Sequence, residues 1–119
     1  MQYMIMLFGD GATMQEVRSP EWIKEMIDFM IQVDEDLKES GELVVAHGLA
    51  FPGAAKTVRI ENGMPVTMDG PFAEADKSLA GFWIVDVESE ARAIEISSQV
   101  VEYAGAVEVR QVVDEPPNL

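Results

Sequence analysis

Gly81-Phe82-Trp83-Ile84-Val85-Asp86-Val87 is a run in which apolar side chains fill consecutive positions rather than every second one. A strand with one wet face alternates apolar and polar residues, whereas a strand covered on both faces does not. Tyr3-Met4-Ile5-Met6-Leu7-Phe8 shows the same pattern. These two segments predict the central strands of a sheet, and the remaining elements are read outward from them.

After the first strand, Gly9-Asp10-Gly11 reads as a turn. Ser19-Pro20 then offers a capping hydroxyl followed by a proline at the first helical position, where its missing N–H does no harm. Glu21 suits the positive end of the helix dipole. Trp22, Met26, Met30, Val33 and Leu37 recur at steps of three and four, widened by Ile23 and Ile27, which predicts a helix closed by Gly41. Leu43 to Ala46 follows as a strand. Thr57-Val58-Arg59-Ile60 and Pro65-Val66-Thr67-Met68 flank Asn62-Gly63, a strong hairpin signal. Asp69-Gly70-Pro71-Phe72 is turn chemistry, with the Phe72 ring expected in the core, and Ala73 to Ala80 is expected to be an exposed connection. Beyond Val87, Glu88 to Tyr103 predicts a second helix with Ala93, Ile94, Ile96, Val100 and Val101 inward and Gly105 as its cap. Val107, Val109 and Val112 mark a last strand. Residues 1–113 make one domain on this reading, and 114–119 a loose tail.

The order βαβ, hairpin, βαβ predicts an α+β fold: a ferredoxin-like βαβ(ββ)βαβ sandwich with an antiparallel sheet. Two helices cover one face of such a sheet. The other face of the two apolar central strands needs a cover, and the same face of a second copy supplies one by two-fold symmetry. A homodimer closing into a dimeric α+β barrel is therefore expected. The 119 residues, 48% of them hydrophobic, suffice for one core without disulfides, in keeping with the absence of Cys.

Eight Lys and Arg against 22 Asp and Glu give a formal charge of −14. Such a chain repels polyanions, so nucleic acids and anionic membrane surfaces are not expected as direct partners. The apolar run at the amino end, Met4 to Phe8, is far shorter than the roughly 20 residues that span a bilayer. It lacks the layout of an export signal, and a cytoplasmic location is expected. One His and no Cys disfavour a transition-metal site. Asp34-Glu35-Asp36 begins like a calcium loop, but Glu39 stands where that loop needs Gly, so this is read as a solvated helix face. Gly9-Asp10-Gly11-Ala12-Thr13 lacks the lysine of a phosphate loop. No Gly-x-Ser-x-Gly elbow is present. No cofactor and no metal are expected.

The run Asp69-Gly70-Pro71-Phe72-Ala73-Glu74, with Leu79-Ala80-Gly81-Phe82-Trp83-Ile84-Val85-Asp86-Val87 behind it, resembles the signature of the YCII-related or DGPF-domain family. The likeness extends to Tyr3 through Asp10, to Gly48-Leu49, to Thr57-Val58-Arg59 and to Val107-Glu108-Val109-Arg110. It covers about Gln2 to Val112. The resemblance implies a dimeric α+β barrel of ferredoxin-like subunits. It also implies two settings: small-molecule chemistry through a His and Asp pair in a cleft, and regulation, since some relatives are encoded beside or fused to extracytoplasmic-function sigma factors. The catalytic His of YCII relatives lies on the first helix, whereas Trp22 to Glu39 holds none and the single imidazole here is His47.

His47 and Asp69 are accordingly the candidate acid-base pair, since imidazole titrates near neutrality and a carboxylate beside it tunes it. Gly70, Pro71 and Phe72 are candidate pocket walls, and Arg59 is a candidate anchor for an anionic group. Trp22, Phe82 and Trp83 are read as core or dimer contacts. Two functions remain open. One is a dimeric protein binding or transforming a small organic molecule in a cleft near the Asp69-Gly70-Pro71-Phe72 turn, by cofactor-free proton transfer or lyase-like chemistry if it is an enzyme. The other is a non-catalytic module whose acidic surface docks a basic protein partner, in the setting of a sigma-factor pathway.

Overall fold

The computed structural model describes residues 1–116. Strand β1 (Gln2–Phe8) leads into a short helix α1 (Gly11–Val17) and a long helix α2 (Pro20–Ser40). Strand β2 (Leu43–Gly48) follows, then the hairpin of β3 (Lys56–Glu61) and β4 (Met64–Asp69). The chain closes with β5 (Leu79–Asp86), helix α3 (Glu90–Ala104) and β6 (Val107–Gln111). The main sheet has the order β2-β5-β1-β6, with each neighbouring pair antiparallel. This is the ferredoxin-like α+β arrangement, with β1 and β5 at the centre.

The caps follow from residue chemistry. Ser19 Oγ accepts the Trp22 N–H with Pro20 behind it, and Ser89 Oγ accepts the Arg92 N–H. Gly41 takes the left-handed conformation (φ 81°) that ends α2. The hairpin turn needs two left-handed residues in succession, and Asn62 (φ 51°) and Gly63 (φ 80°) supply them.

The pleat sorts the sheet into two faces. Tyr3, Ile5, Trp83 and Val85 are buried against Val33 and Leu37 of α2 and Ala93, Ile96 and Val100 of α3, with Leu7, Leu43, Ala46, Val107 and Val109 packed around them. The alternate residues Met4, Met6, Val45, Phe82 and Ile84 point the other way and are only partly buried. They sit side by side, Met4 opposite Ile84 and Met6 opposite Phe82 across the central pair, and Val45 opposite Ile84 on the next strand. The face expected to be apolar but uncovered by helices is therefore present.

The hairpin stands apart from this layer as its own two-stranded sheet. Val58, Ile60 and Met64 are each about two-thirds exposed on it. The radius of gyration is 16.5 Å, against about 13.5 Å for a compact chain of this length. The excess reflects a molecule 50 by 47 Å in breadth and 19 Å thick.

Five expectations need correction. The Gly9-Asp10-Gly11 turn opens a helix, because the Asp10 carboxylate accepts the Ala12 N–H and so caps α1. The second strand runs on through His47 and Gly48, since both pair with β5. The segment before β5 is not wholly exposed, because Ser78 is buried, its Oγ donating to the Glu74 carbonyl. On α3, Ile94 and Val101 face outward, because three-and-four spacing already places Ala93, Ile96 and Val100 on the buried stripe. The Phe72 ring is not in the core: it is 83% exposed. Of the expected loose tail, residues 117–119 lie outside the described residues. No helix among the described residues is long and apolar enough to cross a membrane.

One polar clamp ties the layers together. Arg92 on α3 donates from Nε and Nη2 to the two carboxylate oxygens of Glu42, both at 2.8 Å. Glu42 immediately precedes β2, and its main chain pairs with β5 through the Asp86 N–H. The Arg92 hydrogen bonds hold the Glu42 carboxyl below the usual carboxylate range against the opposing effect of burial.

Candidate functional site

Strand β4 ends at Asp69, which lies opposite Lys56 in the hairpin register, and its carboxylate pairs with the Lys56 ammonium. The next residue, Gly70, has φ 105°, a conformation that side-chain-bearing residues rarely adopt. Its N–H donates to the Ala55 carbonyl and its own carbonyl accepts from Thr57 Oγ, each at 2.8 Å. The turn is thus lashed to the start of the hairpin through both backbone polar groups of one residue. Pro71 is half-buried behind it. Phe72 projects into solvent with the Arg59 guanidinium 5.7 Å above its ring.

This geometry opens a cleft of about 580 Å³ lined by Pro71 and Phe72 on one side, Phe51 and Leu49 on another, and the Lys56 and Lys77 stems. The Phe51 ring lies directly against Gly11, where a β-carbon would meet Cε1 at 2.3 Å. Gly11 therefore lets one wall of the cleft sit on the start of α1. Three of the chain's eight cationic residues, Lys56, Arg59 and Lys77, gather at this place. Asp69 and Glu74 balance part of that charge through exposed pairs, which contribute little.

The sequence places His47 and Asp69 together as an acid-base pair, but no hydrogen bond joins them among the described residues. Asp69 is engaged by Lys56 and its side chain is 87% exposed. His47 is held on β2 opposite Phe82 of β5, with the two rings edge to face at 6.0 Å. Arg59, Gly70, Pro71 and Phe72 do come together, through the turn and the cation–π contact just described. No group of three or more His, Asp or Glu among the described residues is placed to hold a metal.

Sequence reasoning missed a second cleft, of about 390 Å³, between the end of the sheet and the helices. Its carboxylate is Asp34, read from sequence as part of a solvated face. The indole N–H of Trp83, a core residue, donates to Asp34 Oδ1. A signal was available: Asp34 lies four residues after Met30, so it adjoins the apolar stripe rather than the opposite face.

The YCII-related domain model matches residues 1–116. An uncharacterised protein of Rhizobium meliloti (strain 1021) is 30% identical over 113 residues, covering 92% of this chain and 90% of that protein. With the ferredoxin-like sheet, the turn at Asp69 and a match across the described residues in hand, the chain belongs to the YCII-related domain family.

Proposed function

We propose that this YCII-related protein works as a homodimer that binds a small organic anion in the cleft beside the Asp69-Gly70-Pro71-Phe72 turn. One observation carries the reading: in a chain of charge −14, three of eight cationic side chains, Lys56, Arg59 and Lys77, collect around one apolar cleft. A carboxylate placed there gains charge-assisted hydrogen bonds, while Phe51, Pro71 and Phe72 offer apolar and aromatic surface to its hydrocarbon part. Binding is favoured over turnover, because the exposed Asp69 carboxylate pairs with the Lys56 ammonium and not with an imidazole. The partner in the dimer is a second copy that covers the apolar sheet face of Met4, Met6, Phe82 and Ile84. The absence of any membrane-spanning helix among the described residues is compatible with a cytoplasmic setting.

Thermal denaturation with benzoate and with its neutral counterpart benzamide tests the ligand class. Benzoate is expected to raise the melting temperature in a concentration-dependent way, and Lys77→Gln to remove most of that gain. Equal stabilisation by benzamide, or a Lys77→Gln protein as responsive as wild type, refutes the proposal. A second reading rests on the net charge itself: an acidic surface docking a basic protein partner, in the sigma-factor setting. It is favoured by a complete lack of small-molecule stabilisation.

A further inference from the structure

The cleft between sheet and helices differs in chemistry from the one at the turn, and the two share no lining residue. It exists because β2 and β5 carry glycines opposite one another, Gly48 and Gly81, at the end of the face that packs on the helices. Their missing side chains leave the floor of the cleft bare. Met14 of α1, Met26 and Met30 of α2, and Tyr103 of α3 line it, with Trp83 and Asp34 at its polar end. Methionines make an adaptable apolar wall, and a volume near 390 Å³ falls in the range of small-ligand pockets.

The charge of this lining is unusual. Asp34 is its one formally charged side chain when His47 is neutral, and no Lys or Arg belongs to it. One carboxylate oxygen is held by the Trp83 indole, which fixes the orientation of the group. The other makes no hydrogen bond to the described residues, nor does Asp34 pair with any described cation. It is not sealed from solvent either, since no buried polar side-chain atom is left without a partner. A half-buried carboxylate among methionine and aromatic side chains, oriented and uncompensated, suits a cation that brings its own hydrocarbon.

We propose that this cleft is a binding site for a small organic ammonium ion, with the protonated nitrogen on Asp34 and the apolar body against Met26, Met30 and Tyr103. The aromatic rings add attraction for the cation, and the overall charge of −14 raises its local concentration. The inference goes beyond the anion site at the turn and does not depend on it.

Calorimetric titration of the full chain at pH 7 and physiological salt tests it with three probes of one shape: 2-phenylethylammonium, 2-phenylethanol and 3-phenylpropanoate. The ammonium ion is expected to bind at least tenfold more tightly than the alcohol, and the carboxylate not to compete with it. Asp34→Asn keeps a carbonyl acceptor for Trp83 while removing the charge. It should cost the ammonium ion at least tenfold in affinity and leave the alcohol unchanged. Gly48→Leu should block both by filling the floor, since a β-carbon there meets no atom within 4 Å. Labelled methionine methyls should shift at Met26 and Met30. Absence of ammonium binding, parity between ammonium ion and alcohol, an Asp34→Asn protein that binds as wild type does, or shifts confined to methionines outside the cleft would overturn the proposal. Stabilisation by benzoate reports on the turn cleft and is expected to be the same in Asp34→Asn.

Discussion

Replacing Arg92 with Met removes two charge-assisted hydrogen bonds to Glu42, both 2.8 Å long, while keeping an apolar stem of similar length against α3. A hydrogen bond to a charged group contributes about 1.5–3 kcal/mol when well shielded, and an exposed ion pair about 0–1 kcal/mol. The side chains of Arg92 and Glu42 are 32% and 18% exposed, and the geometry is bidentate, so this pair falls between those limits at about 2 kcal/mol. The third contact of Arg92, to Glu95, is exposed and adds little. With an unfolding entropy of about 2.1 cal/mol/K per residue, a 119-residue chain loses about 8 °C in melting temperature for that amount. The pH dependence has a definite sign. Because Arg92 depresses the Glu42 carboxyl below its ordinary value of 4.5, the stabilisation is complete above that pH and is lost as pH falls through the folded-state value. Thermal melts of wild type, Arg92→Met, Glu42→Gln and the double variant, at pH 7 and down to pH 3, form the assay. The gap between wild type and Arg92→Met should be about 8 °C at pH 7 and narrow in acid. A gap under about 2 °C, one that does not narrow, or additive single substitutions would show that the Arg92–Glu42 pair contributes little.

The paired glycines of β2 and β5 should respond unequally to alanine. At Gly81 a β-carbon would lie 3.0 Å from the His47 carbonyl oxygen, so Gly81→Ala should destabilise by about 1–3 kcal/mol, whereas Gly48→Ala meets nothing within 4 Å and should be neutral or stabilising by up to about 1 kcal/mol. Chemical denaturation resolves both, and equal effects would show that the close approach is absent. Ile84→Glu places a carboxylate in the middle of the open sheet face, beside Met4. Wild type should sediment as a dimer at micromolar concentration and the variant as a monomer; a monomeric wild type removes the proposed second copy.

The central strands were legible because apolar residues fill both of their faces: Met4 and Ile84 are as apolar as Ile5 and Val85, though only the latter two are buried. Helix α2 was legible for a similar reason, its stripe and its Ser19-Pro20 start agreeing with each other. Helix α1 was not, because Gly9 and Gly11 outweigh a cap that only the Asp10 side chain reveals. The turn at Asp69 was recognised, yet its contacts were not: the strand register gives Asp69 to Lys56, and a register cannot be read from one strand alone. Phe72 was placed in the core as the anchor of a rigid turn, which ignores that a short turn on an outlying hairpin has no core to enter. Asp34 was hidden by its acidic neighbours Glu35 and Asp36, although it alone of the three is half-buried.

Titration of the isotopically labelled protein with benzoate, followed by NMR, tests the anion site residue by residue. Saturable shifts should concentrate at Phe51, Gly70, Phe72 and Lys77. Shifts that never saturate, or that saturate at residues of another surface while these four stay fixed, would contradict it.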